Sequence, residues 1–415
     1  MNTRRLGCSL VAVSLLGALA LRDLHAETGP NPAAHELARR LAERNNRFGL
    51  ELMARLHREG QNLFLSPLSV SSALQMTSGA ARGETRTEMV RTMHVEELDL
   101  PAANRALIDL SLAPTDSTLA LANSLWGNSE IVQLNEDFAA ECKTYYSAEV
   151  RTLSFQDPRS LLAINGWISD RTAGKIPQLL DKLPREAAGD LISAVHFKGS
   201  WHRAFDERRT QEADFRLSAG HTQRVKMMNA TGEYPYVETK DYQAVGLGFG
   251  QKQDRVMWFI VPAEGRRLSE VLGLFDAERL KEISTSPRHH GTVSIPRFKL
   301  RDKSELTDVL RELGMARAFD AQRADFSHFS SNGGRFFISR VLHEAVLEVN
   351  EAGAEAAAAT AVEIMPTAVA LPHESPFRFV ADQPFLVAII DKGIGPDAGS
   401  GAVLFAGAVY EPASP

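Results

Sequence analysis

The serine, histidine and acidic residues of this chain match no common enzyme signature. No serine is flanked as Gly-x-Ser-x-Gly, the turn that presents the nucleophile of many hydrolases. His289-His290 lies in a Pro/Gly-rich loop and His343-Glu344 has no second histidine four residues on, so neither predicts a metal site. Residues 246–250 lack the third glycine of a dinucleotide-binding turn and are better explained as a β-rich turn. The sequence therefore predicts neither an enzyme nor a bound cofactor or metal.

The segment from Glu351 to Pro366 has the composition of a helix but the side-chain alternation of a strand. Its alanines are the best helix formers, so composition alone favours an alanine-rich surface helix or a flexible linker. Every even position from 354 to 364 is small or apolar, however, whereas Glu355 and Glu363 occupy odd positions. This alternation is typical of a strand with one buried face and one face that tolerates charge.

Other residues of the same segment would let it enter an existing sheet. Gly353 permits backbone angles closed to other residues, and the small side chains of residues 354–359 would meet little steric resistance between strands. Pro366 lacks an amide hydrogen and would end a ladder of strand hydrogen bonds. A segment that suits both a loop and a buried strand is a candidate conformational switch.

Helical patterns occupy the first half of the chain and strand patterns the second. Apolar residues from Leu37 to Leu56 recur at helical spacing, so the folded domain should begin near Ala33, and Ser66-Pro67 fits a second helix start. The predicted strands are residues 191–197, 256–261, 336–349, 385–390 and 403–409, the last two forming a hairpin. This order predicts an α+β fold rather than a doubly wound parallel sheet.

The overall composition excludes several classes of partner. With 44% hydrophobic and 24% charged residues, the chain can bury a sizeable core. Its formal net charge of -6 is mild and its basic residues are scattered. The sequence therefore predicts binding neither to nucleic acid nor to a membrane surface.

Residues 1–26 have the layout of a secretory signal peptide. Arg4-Arg5 precedes an apolar run over residues 6–21, and small residues follow, so we expect cleavage after Ala20 or Ala26. An uncleaved membrane anchor and export in the folded state through the twin arginines are the alternatives. The mature protein is expected to be secreted or periplasmic.

Cleavage at either site would leave a mature chain without a disulfide. It removes Cys8 and leaves Cys142, so no intramolecular pair is possible. Cys142 lies at helical spacing among apolar residues, which favours a buried inert thiol over a reactive one. Residues 27–34 follow as a short Gly/Pro-containing linker.

A series of short motifs across residues 35–412 resembles those of the serpin family, in family order. These motifs are Asn62-Leu63-Phe64-Leu65-Ser66-Pro67-Leu68-Ser69, Ala122-Asn123-Ser124-Leu125, Phe197-Lys198-Gly199-Ser200-Trp201, Met227-Met228, Ile295-Pro296-Arg297-Phe298, Ala324-Asp325-Phe326-Ser327, His343-Glu344-Ala345, Asp382-Gln383-Pro384-Phe385-Leu386 and Leu404-Phe405-Ala406-Gly407. The run of Glu, Gly and small residues resembles the hinge of inhibitory serpins. That hinge comprises Glu351, Gly353, Ala354, Glu355, Ala356, Ala357, Ala358, Ala359 and Thr360.

The resemblance implies a serpin fold with three β-sheets, eight or nine helices and an exposed reactive-centre loop at about residues 351–376, all in one domain over residues 35–412. It also implies a suicide-substrate inhibitor of serine proteases, which is not itself an enzyme and acts as a monomer. In this family the protease attacks the loop, and insertion of the cleaved loop as a new central strand traps the acyl-enzyme.

The family's interval from the hinge glutamate places the reactive bond at Thr367-Ala368. A small residue at Thr367 with Pro366 before it favours elastase-like proteases. Trypsin-like proteases are disfavoured because no Lys or Arg lies between Glu351 and Phe377. The loop after Thr367 is slightly long for the family, so the bond is assigned to within two or three residues.

The resemblance also implies two groups of residues that control the switch. Ser66, Ser69, Ser193 and His343 would form a polar cluster beneath the main sheet; the family commonly has Asn at position 193, so we expect a weakened hydrogen-bond network. At the top of the sheet, Trp201 would lie under the opening. Arg297 would either pair there with Glu351 or be a solvated strand residue.

Two alternatives to protease inhibition would require other sequence features. A non-inhibitory serpin that acts as a binding or chaperone module tends to carry bulky or charged hinge residues, whereas this hinge is almost all alanine. Ala354 departs from the family's usual Thr or Ser but is small enough to be buried. A secreted hydrolase would need a nucleophile motif that the chain lacks.

Overall fold

The structure is a computed structural model that describes residues 32–217, 220–333, 336–354, 375–394 and 401–413. The helices in these ranges are α1 Pro32–Leu56, α2 Pro67–Ala80, α3 Gly83–Thr92, α4 Leu100–Ser111, α5 Glu136–Tyr146, α6 Pro158–Arg171, α7 Leu268–Leu274, α8 Ala277–Ser284 and α9 Thr307–Leu310. The strands are β1 Leu63–Leu65, β2 Ser117–Asn128, β3 Glu149–Leu153, β4 Gly189–Ser200, β5 Gln211–Arg216, β6 Thr222–Glu238, β7 Tyr242–Gly248, β8 Arg255–Pro262, β9 Arg288–Pro296, β10 Phe298–Glu305, β11 Arg340–Asn350, β12 Gly353–Ala354, β13 Phe377–Val380, β14 Phe385–Asp391 and β15 Ala402–Val409.

The strands form three sheets. The main sheet has the order β10-β11-β12-β4-β2-β3. The second sheet, β1-β15-β14-β8-β7, is joined to the third by the long strand β6, whose residues 236–238 pair with β7 while residues 222–235 pair with β5 and β9. Helices and strands mix without alternating regularly along the chain, so the predicted α+β fold is confirmed.

Helices cover both faces of the main sheet. On the inner face, α2 is buried over almost its whole length, and it begins where the sequence predicts, with Ser66 capping and Pro67 in the first turn. On the outer face, Ile164 and Ile168 of α6 pack in one apolar cluster with Ile192 and Ala194 of β4. The two strands at the centre of this sheet are therefore enclosed from both sides.

Most of the element predictions are confirmed, and one boundary is wrong. The last two predicted strands form the antiparallel pair β14–β15, and Cys142 is buried on α5, where desolvation raises the pKa of its thiol. The strand predicted from Phe336 begins only at Arg340. The Ile338 amide donates to the carbonyl oxygen of Ala318 at 3.0 Å, so this residue bonds to a helical turn instead of a strand. Phe336 and Ile338 are buried apolar residues of a loop, and their alternation gives the same sequence pattern as a strand.

No helix in the described ranges has the length and apolarity that a membrane-spanning helix needs.

Candidate functional site

The centre of the main sheet opens at one end and is closed at the other. At the closed end, residues 340–346 of β11 pair in parallel with residues 190–196 of β4, and we call this pairing the seam. At the open end, Gly353 and Ala354 of β12 lie between the two strands and pair antiparallel with both. Gly353 and Ala354 of the predicted hinge therefore occupy a central position in the sheet.

Backbone geometry requires glycine at position 353 and a small residue after it. Gly353 has a φ of 154°, and a Cβ atom there would lie 2.1 Å from the carbonyl oxygen of Gly199. Ala354 is completely buried between Val349 and Gly199. A bulky or charged side chain at position 354 would have neither space nor a partner.

Glu351, the first residue of the predicted hinge, is held by Arg297 and Thr210. Its carboxylate oxygen Oε1 accepts from Nε of Arg297 at 2.7 Å and from the hydroxyl of Thr210 at 2.5 Å, and it lies 2.6 Å from Nη2 of Arg297 in the same ion pair. The side chain of Glu351 is 5% exposed and that of Arg297 33% exposed. Of the two alternatives for Arg297, the structure places it in the ion pair, in which one partner is almost entirely removed from water.

Trp201 fastens the chain on both sides of Glu351. Its indole Nε1 donates to the carbonyl oxygen of Asn350 at 2.9 Å, and its backbone amide donates to that of Ala352 at 2.9 Å. The ring is stacked on Phe249 with 4.6 Å between centroids. The tryptophan therefore lies at the open end of the sheet and holds the backbone of residues 350 and 352 in place.

A buried polar cluster lies where α2 meets the seam; its members are Ser66, Ser69, Asn123, Ser193 and His343. The amide of Ser66 donates to Nε2 of His343 at 3.1 Å, so the ring proton is on Nδ1, which faces the carbonyl oxygen of Ser193 at 3.0 Å. The hydroxyls of Ser193 and Ser69 are 2.8 Å apart, and Ser69 donates to Oδ1 of Asn123 at 2.9 Å. The hydrogen bonds therefore all point the same way: Nδ1 of His343 donates to the Ser193 hydroxyl, which donates to the Ser69 hydroxyl, which donates to Asn123.

The cluster holds its histidine neutral. Burial lowers the pKa of His343 from 6.5 to about 4, because the charged ring would lose its hydration; the hydrogen bond to the Ser193 backbone opposes this shift only in part. Protonation of Nε2 would also turn the bond from Ser66 into a clash of two donors. The Ser193 hydroxyl lies 3.1 Å from Nδ1 of His343, a serine–histidine contact like that in many hydrolases. Both residues are buried, so no substrate can reach them.

The structure brings together the cluster residues, Trp201, Arg297 and the start of the hinge. The predicted hinge residues Glu355, Ala356, Ala357, Ala358, Ala359 and Thr360 and the reactive bond Thr367-Ala368 lie outside the described residues. No group of three or more His, Cys, Asp or Glu side chains in the described ranges could hold a metal ion.

Two contributing residues were missed by the sequence analysis. Asn123 accepts from the Ser69 hydroxyl and donates to the Ser69 carbonyl oxygen, so it extends the hydrogen-bond network; its motif was recognised but this role was not. The weakening expected from serine at position 193 stays a prediction. Thr210 lies in no recognised motif, and no sequence signal identifies its bond to Glu351.

Comparisons with known proteins agree with one another. The family model described as Serpin (serine protease inhibitor) matches residues 43–412. The chain is 34% identical to leukocyte elastase inhibitor of Bos taurus over 90% of this chain and 99% of that protein. It is 32% identical to intracellular coagulation inhibitor 2 of Tachypleus tridentatus over 99% of this chain and 100% of that protein.

Solved structures show the same similarity. The native state of the thermophilic serpin tengpin matches with a TM-score of 0.81 and 26% identity, covering 90% of this chain and 94% of that chain. Human thyroxine-binding globulin matches with a TM-score of 0.80 and 25% identity, covering 91% of this chain and 100% of that chain.

The ion pair at the hinge predicts unequal effects for its two partners. Arg297→Ala leaves a buried carboxylate with only Thr210 as donor and should cost about 2 kcal/mol in native stability. Glu351→Ala leaves an arginine that water can reach and should cost less. Both should polymerise faster on mild heating, and the double variant should be no worse than Arg297→Ala. Lys299→Ala, which breaks an exposed pair with Glu348, is the control and should change stability little. Additive losses in the double variant would contradict the pairing.

Neutral His343 predicts a loss of stability in acid. In the unfolded chain this residue is protonated below about pH 6.5, whereas in the folded chain its pKa is about 4, so it stays neutral until the pH falls to that value. The free energy of unfolding should therefore fall by about 3 kcal/mol as the pH drops through this window. His343→Gln should flatten this part of the pH profile in urea unfolding, whereas the exposed control His290→Gln should keep the wild-type slope. Equal slopes in wild type and His343→Gln would contradict the assignment.

Proposed function

This chain belongs to the serpin family, and we propose that it inhibits serine proteases as a suicide substrate, trapping the acyl-enzyme when the cleaved loop enters the main sheet. The observation that carries this proposal is β12, whose two residues are paired on both edges within the sheet. The loop needs no new site, because it only has to extend a strand that has already begun. The catalytic nucleophile belongs to the protease.

The energetics favour extension once the loop is cut. Each added residue forms ladder hydrogen bonds with β4 or β11, at roughly 0.5 to 1.5 kcal/mol net per bond. A full-length inserted strand would therefore stabilise the molecule by on the order of 10 kcal/mol. Cleavage would separate two ends that are each paired in a sheet, because Ala354 lies in β12 and Phe377 begins β13, which pairs with β9.

The target we propose is an elastase-like protease that cleaves at Thr367-Ala368. The small side chain of Thr367 suits a shallow specificity pocket, and the stretch from Ala352 to Pro376 contains no Lys or Arg for a trypsin-like enzyme. The similarity to a leukocyte elastase inhibitor supports the same class of protease.

Secretion or periplasmic export is proposed from the sequence of residues 1–26 alone. A relative named as intracellular indicates that the fold is not restricted to exported proteins.

A binding protein without inhibitory activity is the second candidate. Human thyroxine-binding globulin has a closely similar fold, so the architecture alone does not require inhibition. The hinge favours inhibition, because Ala354 already occupies a position that admits only a small side chain. The two candidates differ in what happens after the loop is cleaved.

Incubation with an elastase tests the proposal directly. The pure protein mixed with pancreatic or neutrophil elastase should form a complex that survives SDS, with the cut near Thr367. Its Tm should rise strongly after cleavage, because the inserted strand is then paired on both edges. Cleavage without a complex and without a rise in Tm would favour the binding protein.

A charge at position 354 should convert the inhibitor into a plain substrate. Ala354→Arg places an unpaired cation in a completely buried position at a cost of several kcal/mol, which should stop insertion at its first step. Glu355→Arg is the matched control, since continuation of β12 by one residue would pair position 355 with exposed Lys198 and half-buried Glu348, on the face of the sheet that carries charge. SDS-resistant complex should vanish for the first variant and persist for the second. Undiminished trapping by Ala354→Arg would refute the hinge assignment.

A further inference from the structure

A narrow cleft lies beside the open end of the main sheet. The buried residues that line it are Trp201, Tyr234 of β6 and Leu247 of β7. Among the more exposed lining residues are His202 and Arg288, the first residue of β9. A cleft with an apolar and aromatic wall and a few polar side chains at its edge is typical of a binding site for a small molecule.

The charged side chains that line the cleft are mostly basic. Two arginines, Arg203 and Arg288, stand against one acidic residue, Glu233. The Glu233 carboxylate oxygen Oε1 lies 3.3 Å from Nδ1 of His290, which does not line the cleft. The acidic residue therefore has a partner elsewhere, and the cleft keeps an excess of positive charge that favours an anion.

Arg288 is held in place, but its charge is not neutralised. Nη2 donates to the carbonyl oxygen of Glu233 at 2.6 Å, and Nη1 donates to Oε1 of Gln253 at 3.4 Å. Both acceptors are uncharged, and within the described ranges no carboxylate lies at ion-pair distance from this guanidinium. Three of its five N–H groups are left for a ligand. Positioned guanidinium donors bind oxyanions strongly and with defined geometry.

Gln253 is fixed by the backbone around it. Its φ of 53° lies in the left-handed region, which residues other than glycine adopt at a cost. Its side chain packs against Gly248, where a Cβ atom would lie 2.7 Å from Cγ of Gln253. Because Oε1 accepts from Arg288, the amide nitrogen is the end that is left to donate to a ligand.

A second cation lies close to Arg288. Lys392 is half-buried, and its backbone amide donates to the carbonyl oxygen of Asp254 at 2.7 Å. Burial lowers the pKa of its ammonium group, and the charge of Arg288 lowers this pKa further. The two cations repel each other, so an anion bound beside them would remove an unfavourable interaction.

We propose that this cleft binds a small oxyanion, a phosphate or a carboxylate, through the guanidinium of Arg288 and the side-chain amide of Gln253. His202 adds its ring. Nδ1 lies 2.9 Å from the carbonyl oxygen of Gly250 and therefore carries a proton, which leaves Nε2 to face a ligand. The width of the cleft suits a small ion rather than a polymer. This site does not depend on protease inhibition.

Binding would also affect the open end of the main sheet. Trp201 lines the cleft, and the same residue holds the backbone of residues 350 and 352. An anion that binds the folded protein alone stabilises it by mass action. Occupancy should therefore be visible both in thermal stability and in tryptophan fluorescence.

Sodium phosphate, sodium acetate and sodium chloride at equal ionic strength distinguish the possible ligands. A bound oxyanion should raise the Tm of the intact protein by about 2 °C at about ten times its Kd, and should change tryptophan fluorescence in a saturable way. A response to phosphate alone identifies a phosphate site, and a response to acetate alone identifies a carboxylate site. A response to both identifies a site for either oxyanion. Equal responses to all three salts, or to none, would overturn the proposal.

Variants separate specific binding from the general stabilisation that phosphate gives to many proteins. Arg288→Gln should weaken the saturable binding by about tenfold or more, because charge-assisted hydrogen bonds are lost. Arg55→Gln is the matched control, since Arg55 is also exposed and without a carboxylate partner in the described part of the chain, but lies on α1 and does not line the cleft. Unchanged affinity in Arg288→Gln would overturn the proposal.

Lys392→Gln provides an independent test. Without phosphate it should raise the Tm, because the repulsion from Arg288 is removed, and it should also weaken phosphate binding. These two effects have opposite signs, whereas loss of a purely structural contact would only lower the Tm. A lower Tm together with wild-type affinity would count against the site. Elastase inhibition has no bearing on these outcomes, so the two proposals fail separately.

Discussion

The pairing of β4 with β11 is the constraint on which the rest of the molecule depends. These two central strands bond directly over the seam and are held apart at one end by Gly353 and Ala354. A parallel pair in the middle of a sheet is less stable per residue than an antiparallel one. The native sheet therefore retains a weaker contact at its centre, which an antiparallel strand could replace on both sides.

Two buried carboxylates bound this central region, and each is paired with an arginine. Glu351 at the open end is held by Arg297, and Asp190 at the closed end is held by Arg340. A buried ion pair is weak evidence for stability, but breaking it is costly because one charge stays uncompensated. Both ends of the region are therefore held by pairs that are costly to separate.

Between these two ends, the polar cluster beneath the seam connects β4, β11 and α2. His343 belongs to β11, Ser193 to β4, and Ser66 and Ser69 to the start of α2, so the two strands and the helix share one chain of hydrogen bonds. Any movement of β4 away from β11 must break bonds that have no water to replace them. The cluster thus links the position of the helix to the state of the sheet.

The sequence by itself determined the fold class and the family, because helix caps, strand alternation and short motifs are local properties; the run of small residues after Gly353 also predicts the hinge. It could not decide whether Arg297 pairs with Glu351, nor find Thr210 or Asn123, since these contacts join residues far apart in the chain. Only the tertiary structure placed Arg340 opposite Asp190 and set the register of β12 between two strands. Register is a property of paired strands, and a single strand's pattern specifies which face is buried but not which residue it meets.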